Sequence, residues 1–123
     1  MPFDIDMDWS LEPPGLVARC VPPAKYANRG NTLHGGIAAL LLDETMAALG
    51  QTLDKTYNVT GTLNLKYRQP ILLDGRVVRV EAWRDSAPRR ATKVFGRIVT
   101  ADDVVAVEAE GLFIRVDKSL YGD

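Results

Sequence analysis

Residues 3–9, FDIDMDW, alternate strictly, with Phe3, Ile5, Met7 and Trp9 on one side and Asp4, Asp6 and Asp8 on the other. A period of two predicts a half-buried strand. SLEPPG follows as a turn, and LVARCVP (16–22) reads as the hairpin partner. Residues 23–33 are polar and rich in turn formers. The pattern then changes over 31–50, NTLHGGIAALLLDETMAALG. This segment predicts a helix of about 16 residues, opened by Gly35 and Gly36 and stopped by Gly50. Strands are predicted over 57–69, 75–85, 91–100 and 103–116, separated by PILLDG, DSAPR and ADD, each with turn chemistry. The order is β-β-α-β-β-β-β, and the short links after the helix favour antiparallel neighbours. The chain thus reads as one α+β domain, 1–123, with about six antiparallel strands curled around one long helix. A single helix covers only part of such a sheet, so an oligomer is expected.

At 100° per residue, Asp43 shares its face of the helix with Gly36, Ala39, Leu40, Ala47 and Gly50. The opposite side holds Ile37, Leu41, Leu42, Ala48 and Leu49, a stripe suited to packing on a sheet. A solvated stripe would normally carry Lys, Glu or Gln; the small residues around Asp43 instead allow a backbone, a subunit or a ligand to come close. Partial desolvation makes a carboxylate a better base, which suits Asp43 to catalysis. Glu44 lies 100° away and reads as a rim charge. The first-turn N–H groups lack intrahelical partners and sit at the positive end of the macrodipole. Glycines there leave a substrate oxygen free to approach them. Helix rise puts that start roughly 10–12 Å from Asp43, too far for both to touch one substrate atom. The two make a site if two such helices pack side by side, the start of one facing the Asp43 of the other.

The bulk numbers narrow the chemistry. With 15 basic and 16 acidic residues, the net charge of −1 provides no field for nucleic acid or an anionic membrane. The first ten residues are acidic, without a basic-then-apolar signal pattern, and the longest apolar run, Ile37–Leu42, is far too short to span a bilayer. A single cysteine, Cys20, fits a reducing compartment, so a cytoplasmic protein is expected. One His and one Cys make no metal ligand set. No G-x-S-x-G is present, and Gly35-Gly36 is too short for a dinucleotide fingerprint.

NRGNTLHGGIAALLLDE (28–44) closely resembles the His-Gly-Gly…Asp motif of hotdog-fold acyl-CoA thioesterases, of the phenylacetate-pathway and mitochondrial thioesterase superfamily type. His34 and Asp43 keep the nine-residue spacing, Asn28 stands six before the histidine, Thr60 stands ten before Pro70, and TLNLKYRQP resembles the strand after the helix. The resemblance implies a hotdog fold and hydrolysis of an acyl-CoA to the free acid and CoA, in a homodimer or a tetramer (dimer of dimers). The Gly35 N–H, supported by Gly36, would bind the thioester carbonyl oxygen. Asp43 of a second copy would act as general base on water or as nucleophile, two routes the sequence leaves open. Thr60 would orient the water, Asn28 would position Asp43 or the substrate, and His34 would fix the loop or bond near the thioester. No metal or redox cofactor is implied.

WRDSAPRRATK (83–93) sets Arg84, Arg89, Arg90 and Lys93 around a turn, which suits either the phosphates of coenzyme A or an ordinary solvated hairpin. Two other readings stay open. One is a hotdog protein that binds an acyl-CoA or small ligand without turnover. The other is an enoyl-CoA hydratase, disfavoured because Ala39, not an acid, stands five after His34.

Overall fold

The computed structural model describes residues 4–117. The elements are β1 (Asp8–Glu12), β2 (Gly15–Cys20), a 3-10 turn (Ala24–Tyr26), α1 (Gly35–Asp54), β3 (Tyr57–Tyr67), β4 (Val78–Trp83), β5 (Ala91–Val99) and β6 (Val105–Val116). The strands form one antiparallel sheet in the order β1-β2-β4-β5-β6-β3. The helix packs on one face against β2 to β6. This is the hotdog arrangement that the sequence implies.

The helix is longer than its glycines suggest. Gly50 does not stop it; it runs four residues further, and Lys55 caps it at φ 58°, its N–H donating to the Gln51 carbonyl at 3.1 Å. Asn58 packs against Gly50, where a Cβ would lie 2.4 Å from Asn58 Nδ2 and would displace that amide. The buried stripe is Ala38, Leu41, Leu42, Thr45, Met46 and Leu49, a regular three-and-four spacing. It is turned slightly from the expected one: Ile37 and Ala48 are only half-buried. Thr45 enters the core because its hydroxyl donates to the Leu41 carbonyl at 2.8 Å, which satisfies the buried group.

The first strand also shifts. Ile5 is buried and Met7 half-buried, while Asp4, Asp6 and Asp8 are exposed, so the alternation holds. The ladder, however, begins at Asp8 and runs through Ser10–Glu12, leaving Pro13-Pro14 as the turn. It starts there because β2 ends at Cys20, one residue past Asp8's partner Arg19. Trp9 is 41% exposed rather than buried, and Phe3 lies outside the described residues. At the other edge, β3 pairs only with β6 and leaves an 11-residue edge open among the described residues. That edge positions the candidate site.

Candidate active site

Helix α1 and strand β3 run side by side in opposite directions, and three contacts tie them. Tyr67 Oη donates to the Gly35 carbonyl at 2.7 Å, Thr60 Oγ1 donates to Asp43 Oδ1 at 2.5 Å, and Asn58 lies against Gly50. The seam between them therefore has three contact points: the helix start, the Asp43–Thr60 pair and the Gly50–Asn58 end. Thr60 faces the helix because the β3 ladder shifts register between Thr60 and Thr62, at Gly61. A Cβ at Gly61 would meet Ile114 Cγ1 at 3.1 Å and the Leu112 carbonyl at 3.2 Å. The irregularity thus sets which way Thr60 points.

At the helix start, His34 is the N-cap, and its Nδ1 accepts the Gly36 N–H at 2.9 Å. An accepting Nδ1 puts the ring proton on Nε2. This contact separates the roles of the two glycines. At Gly36 a Cβ would sit 3.0–3.1 Å from the imidazole, so glycine there makes room for the cap, and the cap occupies its N–H. At Gly35 a Cβ would touch only the Tyr67 ring, at an ordinary 3.6 Å. The Gly35 N–H has no partner among the described residues. The helix start therefore offers one free donor, Gly35, rather than two.

The loop before the helix is held by its own ladder. Asn28 N–H donates to the Thr32 carbonyl, His34 N–H to the Tyr26 carbonyl and Leu33 N–H to the Ile71 carbonyl, at 2.8–2.9 Å. Asn28 Oδ1 accepts from Gly30 N–H at 2.9 Å and from Thr32 Oγ1 at 2.7 Å. Asn28 thus shapes the loop and does not touch Asp43. It shares with Gly35, Tyr67 and Ile71 the lining of a cleft of about 390 Å³ at the helix start. Tyr67 was not singled out by the sequence as a site residue; its place at the end of an alternating strand was the available signal.

Asp43 is half-buried, eight residues and about 12 Å of helix rise beyond Gly35. Ala39, Leu40 and Ala47 beside it are also half-buried, and Glu44 likewise. Within one chain, Asp43 and the Gly35 N–H do not converge.

The arginines lie at the far end of the helix. Arg84 forms a two-pronged ion pair with Asp54, the NH2–Oδ1 arm at 2.9 Å, with both side chains largely covered. The guanidinium holds the Asp54 carboxyl below the ordinary carboxylate range, and Asp54 in turn raises Arg84. Arg84 is therefore already paired. Arg89 and Arg90 are exposed, and the Arg90 carbonyl accepts the Arg115 N–H at 2.7 Å. Among the described residues no group of three His, Cys, Asp or Glu side chains is placed to hold a metal, and no helix is long and apolar enough to cross a membrane.

The family profile of the thioesterase superfamily matches residues 30–107, well over half of the chain, and spans the helix start, Asp43 and Thr60. The chain belongs to the thioesterase superfamily. Solved structures agree with this assignment. The BH2602 protein of Bacillus halodurans, solved with CoA, is 27% identical, with a TM-score of 0.71 over 81% of this chain and 66% of its own. The chain thus spans just under two thirds of that protein's length. The smu.793 protein of Streptococcus mutans, bound to acetyl CoA, is 17% identical with a TM-score of 0.83, over 96% of this chain and 93% of its own. PaaI of Escherichia coli, from the phenylacetic acid degradation operon, is 16% identical with a TM-score of 0.77, over 92% and 80%. Those last two likenesses are of fold. None of the curated proteins matches the chain. In this thioesterase-superfamily chain, the matched segment contains Gly35, Asp43 and Thr60.

Proposed function

We propose that the chain is an acyl-CoA thioesterase whose active site forms between two copies. The observation that carries the reading is a pair of groups along one helix: a Gly35 N–H without a partner among the described residues at a glycine helix start, and a half-buried Asp43 bonded by Thr60. Two relatives of the same fold, solved with CoA and acetyl CoA, support a CoA thioester as the ligand.

The open β3 edge supplies a way to join the half-sites. Two β3 strands pair antiparallel about a two-fold axis perpendicular to the sheet, which keeps both helices on one face. Gly35 sits beside Tyr67 and Asp43 beside Thr60. An axis near Leu63 and Asn64 therefore brings the Tyr67–Gly35 end of one copy opposite the Thr60–Asp43 of the other. The 12 Å separation within a chain then becomes a facing pair across the interface.

In that arrangement the thioester carbonyl accepts the Gly35 N–H. Water attacks the carbonyl carbon and its proton passes to Asp43 Oδ2, the oxygen Thr60 leaves free. Alternatively, the Asp43 carboxylate attacks the carbon itself and water releases the anhydride. In both routes the C–S bond breaks and the thiolate of CoA leaves, so the chain's own groups carry the proton and the charge. No resident cofactor is part of the reading. Exposed Arg89 and Arg90 are left for the CoA phosphates.

Mixing variants tests the shared site. Asp43→Asn and Gly35→Val are each expected to be inactive as pure proteins. After unfolding and refolding together, mixed dimers carry one intact site, restoring about a quarter of wild-type acyl-CoA hydrolysis. No recovery, with mixed dimers confirmed by mass, would refute a site built across two copies. Wild-type protein that binds acyl-CoAs without releasing CoA would favour a binding protein instead.

A further inference from the structure

The Gly35 carbonyl and the Gly36 N–H belong to one peptide unit, and that unit is held at both ends by side chains. Tyr67 Oη donates to the carbonyl at 2.7 Å, and His34 Nδ1 accepts the N–H at 2.9 Å. A peptide group is planar, so its C=O and N–H can only turn together. The unit before it, between His34 and Gly35, carries the free Gly35 N–H. Its carbonyl accepts from the Ile37 and Ala38 N–H groups at 3.0 and 3.1 Å, the ordinary bonds of a first turn. Two adjacent glycines give this turn wide conformational freedom, at the place where a helix has the fewest bonds to oppose it. His34 from the loop and Tyr67 from β3 supply the missing restraint.

Tyr67 stands on a fixed part of the sheet. It pairs with Val107 in the β3–β6 ladder, and the next two N–H groups, of Arg68 and Gln69, both donate to the Ala106 carbonyl at 2.7 and 3.2 Å. Ala106 and Val107 are buried. The Tyr67 side of this arrangement is 56% exposed, so burial does little to hold the ring where it is. The bond to Gly35 does. Both residues line the cleft of about 390 Å³ at the helix start.

We infer that Tyr67 is a positioning residue for thioester cleavage: with His34 it clamps the Gly35–Gly36 peptide, and so keeps the neighbouring Gly35 N–H aimed at the substrate carbonyl oxygen. A donor aligned in advance stabilises the developing oxyanion without reorganising during the reaction, so loosening it lowers kcat more than ground-state binding. The inference rests on the acyl-CoA thioesterase reading and adds the group that holds its donor in place. Tyr67 acts through Gly35 and not on the substrate.

The experiment measures kcat and KM for wild type, Tyr67→Phe, His34→Ala and the double variant. The substrate is whichever of acetyl-, hexanoyl-, palmitoyl- and phenylacetyl-CoA wild type hydrolyses fastest. Tyr67→Phe keeps the ring and removes only the hydroxyl; it is expected to lower kcat about tenfold and leave KM within about twofold. Because both side chains hold one peptide, either loss frees it. The double variant should therefore fall no more than about threefold below the weaker single variant. Tyr67→Leu, with circular dichroism unchanged, should match Tyr67→Phe, since the hydroxyl and not the ring does the holding. Wild-type kcat in Tyr67→Phe overturns the inference while leaving the thioesterase reading intact. So does a loss confined to KM, or losses that multiply in the double variant, which would make the two side chains independent. Hydrolysis of none of the four esters by wild type would overturn the thioesterase reading itself, and the inference with it.

Discussion

Thr60 Oγ1 donates to Asp43 Oδ1 at 2.5 Å, joining the open edge strand to the middle of the helix. The bond occupies one carboxylate oxygen and leaves Oδ2 without a hydrogen bond among the described residues. Asp43→Asn is expected to lower kcat by at least about 10³-fold and Thr60→Val by about 10–100-fold, with circular dichroism unchanged in both. Asp43→Asn turnover near wild type across aliphatic and aromatic acyl-CoAs would remove the carboxylate from the mechanism.

The two glycines at the helix start should separate stability from activity. In Gly36→Ala the new methyl pushes against His34, and loss of the cap costs about 1 kcal/mol in urea denaturation. In Gly35→Ala the methyl meets only the Tyr67 ring, so stability should stay within about 0.5 kcal/mol of wild type. Its kcat/KM is nevertheless expected to fall at least about tenfold as the approach to the N–H narrows. Equal effects of the two substitutions on both measurements would contradict the division of roles.

His34→Asn keeps a side-chain acceptor at the N-cap, whereas His34→Ala removes it. The alanine variant should lose about 1 kcal/mol relative to the asparagine variant by thermal or urea unfolding. Matching stabilities would mean that the Gly36 N–H is served equally by water.

The Asp54–Arg84 pair gives an acid-dependent prediction. Folding depresses the Asp54 pKa, so its stabilisation is complete above the ordinary Asp value near ~3.9 and is lost as pH falls through the depressed value. Asp54→Asn should therefore be less stable than wild type by about 1–2 kcal/mol at pH 7, the gap narrowing below about pH 4. Denaturation curves at both pH values measure it; a gap that widens in acid would reverse the sign of the linkage.

Burial pushes the Cys20 thiol up to about 11 and leaves it 4% exposed. At pH 8 it should resist a thiol reagent in the folded protein and react on unfolding in urea. Rapid labelling of the native protein would show that β2 opens at the sheet's β1 end.

The sequence by itself determined the element order, the one helix and its core residues Leu41, Leu42 and Leu49, because alternation and three-and-four spacing are local properties of the chain. It also placed glycines, histidine and acid at motif spacing, which identified the family's signature before any fold was drawn. The tertiary structure decided what depends on residues distant in sequence. Gly50 lies inside the helix, against Asn58 eight residues on, and does not end it. Gly36 is closed to a ligand by His34 while Gly35 stays open, and Arg84 is paired with Asp54, 30 residues away. A hydrogen-bond acceptor or an ion-pair partner brought in by folding changes what a group can still do. No local pattern reports that, and so the sequence named the polar groups while the fold decided which of them remain free for chemistry.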